Sequence, residues 1–314
     1  MKVLVIGGTG HTGGCLARDL VSRGHRVVSV SRGQTQPYLE GAFWGQVDRV
    51  TMDRTEAEHD GRLAELIDNV KPDAVVDITC YRPESAEAML SALAGKDTHL
   101  VHVGTAWVYG DAELVPTPET YRGEPVNDYA RGKLAIQDAY LGRFEDDGFP
   151  VTIVHPTQIT GAGKKFITPE GDNDPAYLRR MRAGTDVPLP AFGRPLVQHV
   201  HPSDVAQVMR LALEKPNVAA GQVYNAGSAR AMTYRGLFNF LRAHFGAGCT
   251  ARPMSLEDYQ AEFGPNETVT QHMIQSTCVD VRKAMDELGY EPGYTAREAV
   301  AEAAGDMAAR GLLE

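Results

Sequence analysis

The sequence predicts an α/β fold, a doubly wound parallel sheet with a smaller, loop-rich C-terminal lobe. Three observations predict it. Short β-branched runs alternate with amphipathic stretches through the first half of the chain. The first apolar run breaks directly into a cluster of glycines, and from about residue 156 Gly and Pro recur too often for long elements.

Taken in order, strands are expected at 3–6, 27–30, 47–52, 74–78, 99–103 and 151–154, where Val, Ile and other strand formers cluster. Helices are expected at 12–22, 58–69, 84–93 and 128–144, whose apolar residues recur at helical spacing. Strand, helix, strand in succession implies parallel strands joined by right-handed crossovers, and strands this apolar must be covered by helices on both faces. Beyond 156, residues such as Gly161, Gly163, Pro169, Gly171 and Pro175 leave only short pieces, among them a helix at 176–183. Regular structure returns at 203–213, 223–225 and 234–244, and the chain closes with 281–288 and an Ala-rich helix at 296–310. The division this predicts is a first domain over 1–155, to which 197–228 returns, and a second lobe made of 156–196 and 229–314.

The chain of 314 residues carries 31 basic and 41 acidic side chains, a net charge of -10. That balance argues against nucleic acid or an anionic membrane as partner and favours a small, locally recognised ligand. The N-terminal apolar run is too short for a signal peptide or a membrane span, so a soluble, cytoplasmic protein is expected. Cys15, Cys80, Cys249 and Cys278 form no C-x-x-C pair, and neither a disulfide scaffold nor a metal site is expected.

The first strand runs into Gly7-Gly8-Thr9-Gly10-His11-Thr12-Gly13-Gly14. Gly7, Gly10 and Gly13 suit a tight turn, close backbone approach to a pyrophosphate, and close packing of the following helix. The helix starting near Thr12 aims free N–H groups and its positive dipole end at phosphates. Placed between strand and helix, this loop reads as a dinucleotide site, with Thr9 and His11 among its binding residues. No Lys follows Gly14, which excludes a P-loop nucleotidase. The second strand ends Val30-Ser31-Arg32-Gly33 without the carboxylate that normally holds an unphosphorylated ribose. Ser31 and Arg32 therefore favour NADP, with NAD as the alternative. Asp53, ending the third strand, either accepts from the adenine amine or begins the next turn.

Asp128-Tyr129-Ala130-Arg131-Gly132-Lys133 opens a helix, placing Tyr129 and Lys133 one turn apart on one face. Upstream, Thr105-Ala106-Trp107-Val108-Tyr109-Gly110 ends a strand with a hydroxyl where the sheet meets the cofactor. With these motifs the chain resembles the extended short-chain dehydrogenase/reductase superfamily, the group of nucleotide-sugar epimerases and dehydratases. His201-Pro202-Ser203-Asp204-Val205-Ala206 and Tyr224-Asn225-Ala226-Gly227-Ser228 are similar to its later landmarks, so the resemblance covers nearly the whole chain.

The resemblance implies a Rossmann-type sheet and NAD(P)-dependent hydride transfer at a secondary alcohol or ketone of a sugar-like or nucleotide-sugar substrate. It implies that Tyr129 exchanges a proton with the substrate oxygen, that Lys133 lowers the phenol pKa and holds the nicotinamide ribose, and that Thr105 orients the same oxygen. It places Thr79 at the nicotinamide end of the cleft, and Tyr81, Trp107, Thr157 and Gln158 in the substrate pocket. A homodimer is implied by analogy alone. Three departures set the chain apart: Asp77-Ile78-Thr79-Cys80 after the fourth strand, His155-Pro156-Thr157-Gln158 after the sixth, and the missing acid after the second. They leave open a NADPH-dependent ketone reductase of a non-sugar metabolite, and a non-catalytic dinucleotide-sensing or RNA-associated protein.

Among the remaining polar residues, His199 and His201 alternate on a strand, so one is expected exposed and the other packed or lining the cleft. Lys164, Lys165, Arg179, Arg180 and Arg182 serve either a substrate phosphate or a solvated face.

Overall fold

The computed structural model describes residues 1–314. Its chain runs through β1 (Lys2–Ile6), β2 (Arg26–Ser31), β3 (Val47–Thr51), β4 (Ala74–Asp77), β5 (His99–Val103) and β6 (Val151–Pro156). Four short strands follow, β7 (Gln158–Ile159), β8 (Val187–Leu189), β9 (Leu196–Val197) and β10 (His199–Val200), then β11 (Gln222–Ala226), β12 (Met232–Thr233) and β13 (Ala251–Pro253). Seven of these form one sheet in the order β11-β6-β5-β4-β1-β2-β3. Every pair in it is parallel. The order reverses between β1 and β4, and a crevice must open there beyond the carboxyl ends of the strands.

Helices α1 (His11–Ser22), α2 (Arg54–His59), α3 (Arg62–Val70), α4 (Pro83–Ala92) and α5 (Asp128–Asp147) link the first six strands. After them come α6 (Pro175–Arg182), α7 (Pro202–Glu214), α8 (Pro216–Ala219), α9 (Tyr234–His244), α10 (Leu256–Phe263), α11 (Glu267–Met273) and α12 (Ala296–Ala309). The strand pleat sorts the core. Val3 and Val5 join Leu16, Leu20, Val205 and Met209 on the α1 and α7 face. Leu4 and Ile6 meet Leu63, Ile67, Met89 and Ile136 on the α3 to α5 face. A separate cluster around Tyr177, Leu237, Tyr259 and Val300 is the core of the smaller lobe.

Three local expectations are corrected. The helix expected over 58–69 is two helices, because Gly61 takes φ +84° and turns the chain between them. The regular segment expected at 281–288, whose type the sequence left open, is a π-helical turn, Ala284–Leu288. That segment lies in the sheet-side core with Val279, Val281 and Tyr290, although the sequence division gave it to the smaller lobe. His199 and His201 are both buried: β10 pairs with β7 inside the molecule, and His201 stacks on Tyr294 at 3.7 Å. No helix is long and apolar enough to cross a membrane.

Candidate active site

A cavity of about 620 Å³ opens where the sheet order reverses. Gly7, Gly10, His11, Thr12 and Gly13 line it from the loop after β1, and Thr79 and Tyr81 from the segment after β4. Thr105 and Trp107 enter after β5, Tyr129 and Lys133 from α5, and Thr157 and Gln158 after β6. The fold thus gathers most of the residues singled out by sequence into one space. Thr9, Ser31, Arg32 and Asp53 do not line it. The Thr9 carbonyl accepts from the Tyr38 N–H at 3.2 Å. Arg32 is exposed at the tip of β2; burial raises the Tyr81 phenol and the Arg32 charge is among those that oppose the rise. Asp53 caps α2: Oδ1 accepts from the N–H groups of Thr55 and Glu56 at 2.9 and 3.3 Å.

The glycine loop has the shape a pyrophosphate requires. Gly7 sits at φ +86° with room only for hydrogen, since a Cβ there would lie 2.7 Å from Thr79 Cγ2. A Cβ on Gly13 would lie 2.3 Å from the Gly7 carbonyl oxygen, so α1 packs against the loop backbone itself. Gly10 caps α1 without a side chain and the first turn contains no acid. The N–H groups of His11, Thr12 and Gly13 make no backbone hydrogen bond, which leaves them to phosphate oxygens. These residues fit a bound NAD or NADP.

Asn127 caps α5 by accepting from the Ala130 N–H at 2.8 Å, which fixes the start of the helix and with it Tyr129. Tyr129 is 46% exposed to the cleft, whereas Lys133, one turn on, is 1% exposed. Lys133 Nζ donates to the carbonyls of Cys80 and Val103, each at 2.7 Å, and burial brings its pKa down to about 8. Partial removal from water pushes the Tyr129 phenol up to about 12, Tyr81 adding to the rise and the Thr105 hydroxyl opposing it. The rise opposes the lowering expected from Lys133, whose ammonium donates to two carbonyls. Thr105 is buried at the end of β5, where its hydroxyl oxygen accepts from the Trp107 N–H at 3.3 Å.

Beneath the site, Asp77, Cys80 and His102 bring ligand-type atoms within 4.8 Å of one another. Arg54 already pairs with Asp77, and the Arg54 and Lys133 charges both press on His102, so the cluster is hostile to a further cation.

Part of the lining was missed by sequence. It includes Asn127, Asn173, Thr268, Gln271 and His272. Trp107 meets the His272 ring edge-on at 4.9 Å, and Asn127 Nδ2 donates to Gln271 Oε1 at 3.1 Å. Thr268, Gln271 and His272 stand at i, i+3 and i+4 on α11, a polar helical face that was the available signal.

The sequence profile of the NAD dependent epimerase/dehydratase family matches residues 3–227. The 2'-dehydrokanamycin reductase of Streptomyces kanamyceticus is 28% identical over 259 residues, covering 82% of this chain and 69% of that one. The dTDP-6-deoxy-L-talose 4-dehydrogenase (NAD(P)(+)) of Kitasatospora kifunensis is 28% identical over 323 residues, covering 96% and 94%. In three dimensions, the UDP-glucose 4-epimerase of Thermotoga maritima, crystallised with UDP-glucose, matches with a TM-score of 0.76 at 20% identity over 100% of both chains. That likeness establishes the shared fold.

Proposed function

We propose that this chain, which belongs to the NAD dependent epimerase/dehydratase family, interconverts a secondary alcohol and a ketone on a sugar-like small molecule, with Tyr129 as acid and base. One observation carries the reading: Thr105, Tyr129 and Lys133 share a single cavity with the glycine loop. The relatives named as a reductase and a dehydrogenase support it.

A bound nicotinamide supplies the hydride acceptor or donor. The glycine-loop N–H groups would hold its pyrophosphate, and Lys133, with two of its three N–H donors on carbonyls, would have the third for a ribose hydroxyl. Thr105 hydrogen-bonds the reacting substrate oxygen. Tyr129 gives that oxygen a proton on reduction and takes one on oxidation; burial raises the phenol to about 12, so in the resting site it is protonated, the form that reduction requires. Arg32 and Ser31, at a strand tip with no carboxylate, favour the 2′-phosphate of NADP.

Tyr129→Phe tests the reading. It should lower kcat by about a hundredfold or more while NADPH affinity, followed by calorimetry, stays within a few fold. Undiminished turnover in this variant would remove the acid/base role. A protein that binds NADPH yet shows no turnover would instead be a dinucleotide sensor.

A further inference from the structure

The two halves of the cavity differ in charge. Its lining contains two cations, Lys133 and Lys164. Lys133 is buried against two strand carbonyls, and the Lys164 charge presses on His11, the first residue of α1. Both therefore belong to the dinucleotide half. The lining that runs from Trp107 and Asn127 to Thr268, Gln271 and His272, joined by the Trp107–His272 and Asn127–Gln271 contacts, has no cationic side chain. Acids lie behind it instead. Gln271 Nε2 donates to Glu267 Oε1 at 2.8 Å, and the Asp172 charge acts on His272. The helix end bordering this wall offers nothing to an anion: Asn266 caps α11 and Glu267 occupies its first turn.

His272 adds a directional constraint. Its Nδ1 lies 2.8 Å from the Thr268 carbonyl oxygen, an atom that only accepts, so the ring proton sits on Nδ1. Nε2 is then a lone-pair acceptor, and it is buried without a partner. Burial also lowers the ring's pKa, which keeps it neutral. Across the same cavity the Thr157 hydroxyl is likewise buried and unpartnered. A lone-pair acceptor welcomes a hydroxyl or an ammonium and repels a phosphate oxygen. A diphosphate held here would be desolvated with no counter-charge, the arrangement buried anions cannot tolerate.

We infer that the substrate is a phosphate-free glycoside or polyol, neutral or amino-substituted, one of whose hydroxyl or amino groups donates to His272 Nε2 while a sugar face packs on Trp107. The inference rests on the proposed hydride-transfer function and narrows its substrate class away from nucleotide diphosphate sugars. It makes His272 a specificity-determining residue outside the reacting set.

The test is a kinetic comparison of the whole protein with NADP and NAD on four probes. Methyl glucoside and kanamycin represent phosphate-free substrates, and UDP-glucose and dTDP-glucose represent nucleotide sugars. At least one phosphate-free probe should exceed both nucleotide sugars in kcat/KM by roughly tenfold or more. His272→Leu should raise its KM by about tenfold with little change in kcat, and His272→Gln, which keeps an acceptor, should restore part of the loss. Thr157→Val provides a second probe of the wall should the His272 variants fold poorly, again with a rise in KM. Preference for a nucleotide sugar, no turnover of either phosphate-free probe, or an unchanged KM in the folded His272→Leu protein each overturns the inference. If a nucleotide sugar is turned over and Tyr129→Phe abolishes that turnover, the substrate class falls while the hydride-transfer function stands. If turnover survives Tyr129→Phe, the acid/base role of Tyr129 falls instead.

Discussion

Tyr129 and Lys133 occupy one face of one helix, yet their surroundings shift them in opposite senses, the phenol up to about 12 and the ammonium down to about 8. Both moves favour the neutral form and share one cause, loss of water. Their pairing was legible because a four-residue step on a helix is a geometric certainty. Their protonation was not, because the carbonyls that engage Lys133 come from Cys80 and Val103, more than a helix away in sequence. Asp53 shows the same limit: a carboxylate at a strand end serves a ligand or a cap, and only the placement of α2 reveals the cap. Arg32 is the residue whose role a single substitution resolves. Arg32→Ala should weaken NADP binding by roughly tenfold to a hundredfold, the worth of a charge-assisted contact, and leave NAD binding nearly unchanged. Calorimetric titration of both cofactors checks this, and equal losses would exclude a 2′-phosphate contact.

At the scale of elements, the first βαβ unit was readable almost to the residue, since a strand, a glycine turn and an amphipathic helix each leave a distinct pattern. The break between α2 and α3 was not, because Gly61 within an apolar-periodic stretch is tolerated in many helices and here instead takes a left-handed turn. Helix α11 escaped notice because seven residues with one polar face carry little periodicity. Two glycines make the contrast between constrained and free positions measurable. Gly13→Ala forces a Cβ to within 2.3 Å of the Gly7 carbonyl, so α1 must shift from the loop. The expected result is a loss of about 1–3 kcal/mol of stability together with most dinucleotide affinity. Gly142 lies inside α5 with nothing within 4 Å of an added Cβ, so Gly142→Ala should stabilise the protein by about 0.5–1 kcal/mol and leave binding intact. Thermal denaturation with and without NADPH distinguishes the two, and an unperturbed Gly13→Ala protein would refute the close-packing role.

Over the whole molecule, the chain crosses between its two cores more often than its sequence announces. β11 completes the sheet after a long excursion, and residues 279–290 return to it again. The first return was legible from a strand-like run beside an amphipathic helix; the second was not, because an apolar turn fits either core. This interleaving buries histidines from both halves of the chain, and a pH dependence of stability follows. Burial lowers His99 to about 4 and His155 and His199 to about 3, against an ordinary 6.5. Between those values and 6.5 the unfolded chain binds more protons than the folded one, so stability must fall as pH falls through that window. By pH 5 each ring forfeits on the order of 1–2 kcal/mol relative to neutrality. Glu119, Glu170 and Asp204, whose carboxyls burial raises, act in the opposite sense, but their window starts from the lower carboxylate range. Lys133 bears only on pH above about 8, where stability rises as its unfolded counterpart remains protonated. Thermal denaturation should therefore give a Tm that is flat between pH 7 and 8 and drops steeply between pH 6.5 and 5. Replacing His199 by Gln should shallow that drop. A Tm that stays level down to pH 5 would mean these rings are protonated in the folded protein and the burial argument fails.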